Sequence, residues 1–230
     1  MVNRVALVIG VGPGLGAALA RRFASEGFRV VMIARSGGFI NELARELSGS
    51  LALRADASNP AEMAETIQRA REELGPIGVL IYNASTSGGS GLAEITVEQF
   101  EQSWRVSTLG AFVCAREVAP DMIKAGEGVM LFTGATSSIR GGGWLAFSSA
   151  KFALRGLVQS AARELWPRSV HVAHVLVDGL IGEAGDGSVK EAIALSPDKM
   201  ADAYWYLAQQ NRSAWTLELD LRPNAEEFFV

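Results

Sequence analysis

The feature that most narrows what this chain can fold into is an alternation. Short, continuously apolar runs rich in β-branched residues take turns with longer segments whose apolar residues recur at helical spacing. The runs are Arg4–Gly10, Phe28–Ala34, Leu51–Arg54, Ile77–Tyr82, Val129–Thr133 and Val170–Val177, with Trp215–Leu219 as a last, edge-like candidate. Between them lie predicted helices at Leu15–Glu26, Phe39–Leu47, Pro60–Leu74, Val97–Lys124, Ser148–Leu165 and Pro197–Gln210. A strand exposed on one face alternates apolar and polar residues, whereas these runs are apolar throughout. They therefore predict a mostly parallel sheet of about seven strands, covered by helices on both faces. With 230 residues and no repeat or interdomain linker, the expectation is one doubly wound α/β domain spanning residues 1–230.

The first strand hands over to the first helix through Gly10-Val-Gly-Pro-Gly14-Leu-Gly16. Glycines there allow a tight turn and a close approach of backbone to a pyrophosphate, which then rests on the helix N-terminus. The spacing departs from G-x-G-x-x-G, and a turn of purely structural purpose is the competing explanation. Its place in a βαβ pattern favours a Rossmann-type nucleotide site. The backbone of Gly10, Gly12, Gly14, Leu15 and Gly16 would form the phosphate cradle. At the end of the second strand, where an acidic residue would bind a ribose 2′-hydroxyl, the chain has Ala34-Arg35-Ser36. A guanidinium beside a hydroxyl suits a 2′-phosphate, so the expected coenzyme is NADP in preference to NAD. A solvated surface arginine is the alternative. Asp56 either accepts from the adenine amino group or fastens the turn before Pro60.

Composition excludes several other classes. The net charge of −4 comes without any basic stripe, which argues against nucleic acid. Apolar runs such as Val170–Val177 are far too short to span a bilayer, and the N-terminal segment has no leader pattern. The single cysteine, Cys114, fits a reducing compartment, and the cytoplasm is the expected location. His171 and His174, three apart on one strand, face opposite sides, so no metal site is expected.

With these residues in place, the chain resembles the short-chain dehydrogenase/reductase family. Gly10–Gly16 matches that family's G-x-x-x-G-x-G cofactor loop, with Ile9 at its usual threonine. Tyr82-Asn83-Ala84-Ser85 resembles its Asn-Asn-Ala-Gly motif and keeps Asn83 and Ala84. Asp178-Gly179 falls at its Pro-Gly, and Ile181 where the backbone would meet the nicotinamide amide. The resemblance implies an oxidoreductase that moves hydride between a nicotinamide coenzyme and a carbonyl or alcohol. It also implies a homodimer or homotetramer built on the Val97–Lys124 and Ser148–Leu165 helices, whose small residues equally suit packing within one chain.

The catalytic positions depart from the family. Its Tyr-x-x-x-Lys aligns with Phe147 and Lys151, its serine with Gly134, and its helix asparagine with Ser107. The phenol supplies the proton of the usual reaction, and phenylalanine has no O–H to donate. Lys151, one helical turn from Phe147, retains the means to grip the nicotinamide ribose. Substitute donors are Asp178, whose other role is a loop carboxylate bonded to backbone, and the hydroxyls of Thr136, Ser137 and Ser138, which otherwise serve a turn. Ser107 stands in for the asparagine with a shorter reach. Trp144 either lines the substrate pocket or packs as a lid, with mobility of the far wall suggested by Gly182, Gly185 and Gly187. Two readings follow: an NADP(H)-dependent oxidoreductase for a small molecule, lacking the tyrosine route, or a non-catalytic NADP(H)-binding sensor or partner protein.

Overall fold

A computed structural model describes residues 4–86, 89–182 and 194–225. Seven strands form one sheet: β1 (Val5–Ile9), β2 (Arg29–Ala34), β3 (Leu51–Arg54), β4 (Val79–Tyr82), β5 (Gly128–Thr133), β6 (Val170–Val177) and β9 (Glu218–Leu221). Their order is β3-β2-β1-β4-β5-β6-β9, and every pairing is parallel. The helices are α1 (Leu15–Ser25), α2 (Gly37–Glu46), α3 (Pro60–Leu74), α4 (Val97–Trp104), α5 (Gly110–Ala125), α6 (Leu145–Leu165) and α7 (Pro197–Ala208). A two-stranded ladder of β7 (Leu180–Ile181) and β8 (Ala194–Leu195), not foreseen from sequence, stands apart from the sheet.

The continuous apolar strands bury both faces, as expected. Leu7, Tyr82, Phe132, Leu154 and Val172 belong to one core, on the side of α3, α5 and α6. Val8, Met32, Leu131, Leu19 and Tyr204 belong to the other, on the side of α1 and α7. Each fully buried large aliphatic side chain contributes about 1.5–3 kcal/mol relative to exposure. Strand order reverses between β1 and β4, so the crossovers diverge there and leave a crevice above the C-terminal strand ends.

Several boundaries differ from the sequence expectation, most of them by one or two residues. The Val97–Lys124 helix is interrupted by a π-helical segment at Arg105–Leu109, where Gly110 N–H donates to the Arg105 carbonyl. The Tyr82 hydroxyl donates to the Val106 carbonyl inside that segment. An extra residue in one turn does not disturb an apolar repeat enough to be read from sequence. Helix α6 begins at Leu145, three residues before the expected start, which puts Phe147 inside its first turn. The last strand is Glu218–Leu221 and not Trp215–Leu219, because Trp215 instead stacks on His171 at 5.0 Å. Gln210 also holds Thr216 through both its amide atoms. Strand β4 starts at Val79, two residues late. Of the glycines expected to confer mobility, Gly185 and Gly187 lie outside the described residues.

Candidate functional site

The crevice holds two hollows, of 520 and 820 Å³, that share Gly10, Gly12, Asn83, Ser85 and Thr86. The first runs over the ends of β1, β2 and β3 and is walled by Arg35, Ser36 and Asp56. The second continues past Gly14, Leu15 and Gly16 to Thr136, Trp144, Phe147, Lys151, Asp178, Gly179 and Ile181. Residues scattered from 10 to 181 thus line one continuous groove.

The bend in that groove is set by Gly10. Its φ is +86°, and a Cβ there would lie 2.6 Å from Ala84 Cα, so only glycine fits. Asn83 closes the contact from the other side: its N–H donates to Ile9 O at 2.9 Å and its Nδ2 to Gly10 O at 3.0 Å. Gly12 and Gly14 have open space where side chains would stand. Helix α1 starts at Gly14 with no side-chain cap and no acidic residue in its first turn. Backbone donors at such a helix start present positive potential to the groove, the arrangement a pyrophosphate requires.

At the first hollow, Arg35 is exposed, and its guanidinium has no hydrogen bond or ion pair among the described residues. Arg54 lies beside it, its Nε donating to the Arg35 carbonyl at 3.0 Å. Sequence reading missed Arg54; the parallel register Ala34↔Arg54 is what brings it there. Asp56 Oδ1 accepts from both the N–H and the hydroxyl of Ser58 at 2.8 Å, so its turn-fastening role is present in the structure.

The second hollow has a different character. Helix α6 projects Phe147 and Lys151 from successive turns, with Lys151 Nζ 5.5 Å from the centre of the Phe147 ring. The buried ammonium donates to the Thr133 carbonyl at 2.8 Å. Burial pushes its pKa down to about 8, since a charged amine loses hydration there. Trp144, 49% exposed, packs edge-to-face on Phe147 at 5.8 Å and gives the rim an aromatic lining, while Leu180 and Ile181 are exposed opposite.

Gly134 has a steric explanation that sequence could not supply. A Cβ at this position would lie 2.6 Å from His174 Cε1 and closer still to Nε2. The buried imidazole occupies the space a serine side chain would need. His174 Nε2 lies 3.5 Å from Ser138 Oγ, and Nδ1 is 3.4 Å from Glu218 Oε1. Glu218 is gripped bidentately by Arg155 at 2.6 and 2.8 Å. Burial drives the His174 pKa down to about 4 against the opposing pull of Glu218, so the ring is neutral at neutral pH. Reading His174 as a structural histidine agrees with this setting, but its control of position 134 was missed.

The remaining candidates are placed as follows. Asp178 lines the hollow, and its carboxylate accepts from Arg222 Nη1 in a largely buried ion pair. That partner replaces the backbone N–H groups expected from sequence. Thr136 Oγ1 is buried without a hydrogen bond among the described residues. Ser107 is fully buried one layer back, its Oγ 3.4 Å from Ser85 Oγ, so it reaches the groove only through Ser85. Ser138 sits under the loop, where its Oγ accepts from Ala135 N–H at 3.2 Å. Cys114 is buried in the core. Among the described residues no three His, Cys, Asp or Glu side chains cluster to hold a metal ion, and no helix is long and apolar enough to cross a membrane.

A parallel sheet reversing at β1/β4, with a glycine turn on its crevice and a lysine-bearing helix beyond β5, defines a nucleotide-binding fold of the dehydrogenase type. The profile of the family described as short chain dehydrogenase matches residues 4–182. The chain is 33% identical over 178 residues to a short-chain dehydrogenase/reductase of Armillaria gallica, covering 74% of this chain and 68% of that protein. Among solved structures it is similar to a short-chain dehydrogenase from Rhodopseudomonas palustris, with a TM-score of 0.84, 38% identity, and 96% and 99% of the two chains covered. A metagenomic short-chain oxidoreductase in complex with NADP gives a TM-score of 0.84 at 28% identity, with 96% and 97% covered. This chain belongs to the short-chain dehydrogenase/reductase family of oxidoreductases.

Proposed function

We propose that the protein is an NADP(H)-dependent oxidoreductase acting on a small carbonyl or alcohol substrate, and that it lacks the tyrosine route of its family. The observation that carries this reading is the continuous groove joining Arg35 to Lys151. Its dimensions, an unpartnered guanidinium at one end and an uncapped helix start at the bend fit a dinucleotide with a 2′-phosphate. In this reading the backbone of Gly12–Gly16 holds the pyrophosphate, Arg35 and Ser36 the 2′-phosphate, and Asp56 the adenine. Asn83 and Ala84 shape the middle, Lys151 grips the ribose, and Gly179 and Ile181 meet the nicotinamide amide. The bound coenzyme would supply or accept hydride. The NADP held by the metagenomic neighbour supports this assignment.

On the chain's own side, Trp144, Phe147, Leu180 and Ile181 favour an apolar or aromatic substrate, since such a wall solvates no charge. Asp178 is committed to Arg222, which disfavours it as a proton donor. Thr136 is retained as a group that can orient a substrate oxygen. Exposed Phe100, Trp104, Phe112 and Phe152 on α4, α5 and α6 support a homodimer or homotetramer through those helices. The crowding of Gly134 by His174 favours the second reading, a non-catalytic NADP(H) binder, for ordinary ketone reduction.

The decisive measurement is calorimetric titration with NADPH and NADH, repeated on Arg35→Ala. NADPH should bind more tightly to the unmodified protein, and the preference should vanish in the variant. Equal affinity for both coenzymes would remove the argument from Arg35, and binding of neither would remove the oxidoreductase reading.

A further inference from the structure

We propose that Lys151 is itself the proton donor of this site, delivering to the substrate oxygen the proton that Phe147 cannot carry. The inference rests on the oxidoreductase reading above and deepens it. Its basis is a process of elimination among the groups that face the second hollow, together with the unusual setting of the lysine.

A carbonyl that receives hydride at carbon must receive a proton at oxygen, or the alkoxide reverts. Several positions could have met that need, and all but one are closed. Phe147 has no exchangeable hydrogen. At residue 134 no side chain fits beside the His174 ring. Asp178 is bound by Arg222 Nη1. His174 is neutral and fully buried behind Gly134, with Glu218 at Nδ1 and Ser138 at Nε2. Thr136 and Ser137 carry alcohol protons far too weakly acidic to be released without a base beside them.

Lys151 meets the requirement. It lines the hollow next to the Phe147 ring, 5.5 Å from its centre, and is buried to 2% exposure. No carboxylate lies within 4.0 Å of its Nζ among the described residues. Two carboxylates from neighbouring elements are engaged elsewhere. Glu218 on β9 is taken by Arg155 of α6 and His174 of β6, and Asp178 beyond β6 is taken by Arg222. From β5 the Thr133 carbonyl accepts one ammonium hydrogen at 2.8 Å. A buried ammonium held by one carbonyl, with no counter-ion, gives up its proton more readily than a solvated one.

The step balances without a further reagent beyond the reduced nicotinamide coenzyme. Hydride adds to the carbonyl carbon, the C=O π pair moves to oxygen, and oxygen takes H⁺ from Lys151 Nζ. The lysine is left as a neutral amine still donating to Thr133 O, and it regains a proton from water. In the oxidative direction the neutral amine is the base that removes the alcohol proton.

The test begins with the unmodified protein labelled with ¹³Cε-lysine, in which only four lysines contribute. The Lys151 resonance is identified by its absence from Lys151→Arg. It should titrate near pH 8; a midpoint above about 10, the ordinary lysine range, overturns the proposal. Calorimetry then gives coenzyme affinity for both proteins. Reduction of a panel of aromatic ketones and diketones follows from pH 6 to pH 10. For the unmodified protein kcat/KM should be level below the lysine midpoint and fall tenfold per pH unit above it.

Arginine keeps the charge but holds its proton throughout this range. Measured at coenzyme concentrations that saturate each protein, Lys151→Arg should therefore lose about 100-fold or more in turnover. Turnover of the variant within tenfold of normal sinks the idea, as does coenzyme-bound unmodified protein that reduces no carbonyl at any pH. If neither coenzyme binds, the oxidoreductase reading falls as well, a result distinct from an ordinary lysine titration in a coenzyme-binding protein.

Discussion

The two ends of the groove have different histories written in their chemistry. At the β1–β3 end, backbone geometry shapes the groove: Gly10 is forced by the Asn83–Ala84 backbone, and Arg35 and Arg54 stand with exposed guanidinium-bearing side chains. At the β5–β6 end, the polar side chains are turned inward. Lys151 bonds to Thr133, His174 is neighboured by Ser138 and Glu218, and Asp178 is bound by Arg222. A turn of backbone donors beside exposed guanidinium groups suits an anionic ligand, whereas at the other end most polar side chains, Thr136 excepted, are already held by partners. The lesson is that one groove can be shaped by backbone at one end and by paired side chains at the other, because different elements build the two ends.

Substitution at the cradle gives the largest effect by which this contrast can be broken. Gly10→Val would place a branched side chain at φ +86° against the Ala84 backbone. A loss of about 3 kcal/mol or more in unfolding free energy is expected, with coenzyme binding abolished. Chemical denaturation and calorimetry check both, and a stable, binding variant would show that the turn is not constrained by this contact.

The opposite end should reveal itself through pH. The His174 pKa is depressed from 6.5 to about 4 in the folded protein, first by burial. Above pH 6.5 neither state binds the proton; as pH falls toward 4 the unfolded chain takes it up and the folded one does not. Stability is therefore fully present above pH 6.5 and declines by up to about 3 kcal/mol across that window. Comparison with His174→Gln, which removes the titration, isolates this contribution; parallel pH curves for the two proteins would contradict it.

Gly134→Ser should lower stability by about 2 kcal/mol, because the added Cβ overlaps the His174 ring. In a double-mutant cycle the further change His174→Ala should recover part of that loss. Strict additivity would mean the two residues are not interlocked.

Arg35→Ala should weaken NADPH binding by roughly 10- to 100-fold, equivalent to about 1.4–2.7 kcal/mol, and leave NADH binding unchanged. The smallest effect is expected from Phe147→Tyr. The phenol is restored, but Gly134 and Ser107 remain, so turnover should rise by no more than about threefold. A large gain would mean that the rest of the site had stayed competent, and the contrast between the two ends would shrink to a single atom.

Much of the first end was legible in the sequence. Glycines at the exit of β1, Asn83 after β4 and Arg35 after β2 are local features, each next in the chain to the strand that positions it. Arg54 was not legible, since its approach to Arg35 depends on the register of β2 with β3. At the second end, Phe147 and Lys151 were readable as one helical turn apart. The interlock of Gly134 with His174 was hidden, because these residues are separated by 40 positions and meet only when β5 pairs with β6. The Asp178–Arg222 pair was equally invisible, joining two strand exits from opposite ends of the C-terminal third. The π-helical segment before α5 and the displaced last strand were missed for a related reason: a single extra residue, or one indole stacked on an imidazole, leaves the apolar repeat intact.

By itself, then, the amino-acid order determined the doubly wound sheet, the glycine turn at its first crossover, and the absence of a phenol beside the lysine. These follow from periodicity, from glycine's lack of Cβ and from the identity of one side chain. Only the tertiary structure decided that a histidine fills the serine's space, that the Asp178 carboxylate is already claimed by Arg222, and that the lysine has no counter-ion among the described residues. Those outcomes depend on which distant strands become neighbours and on how far water is excluded between them, and neither quantity is written at any one place in the chain.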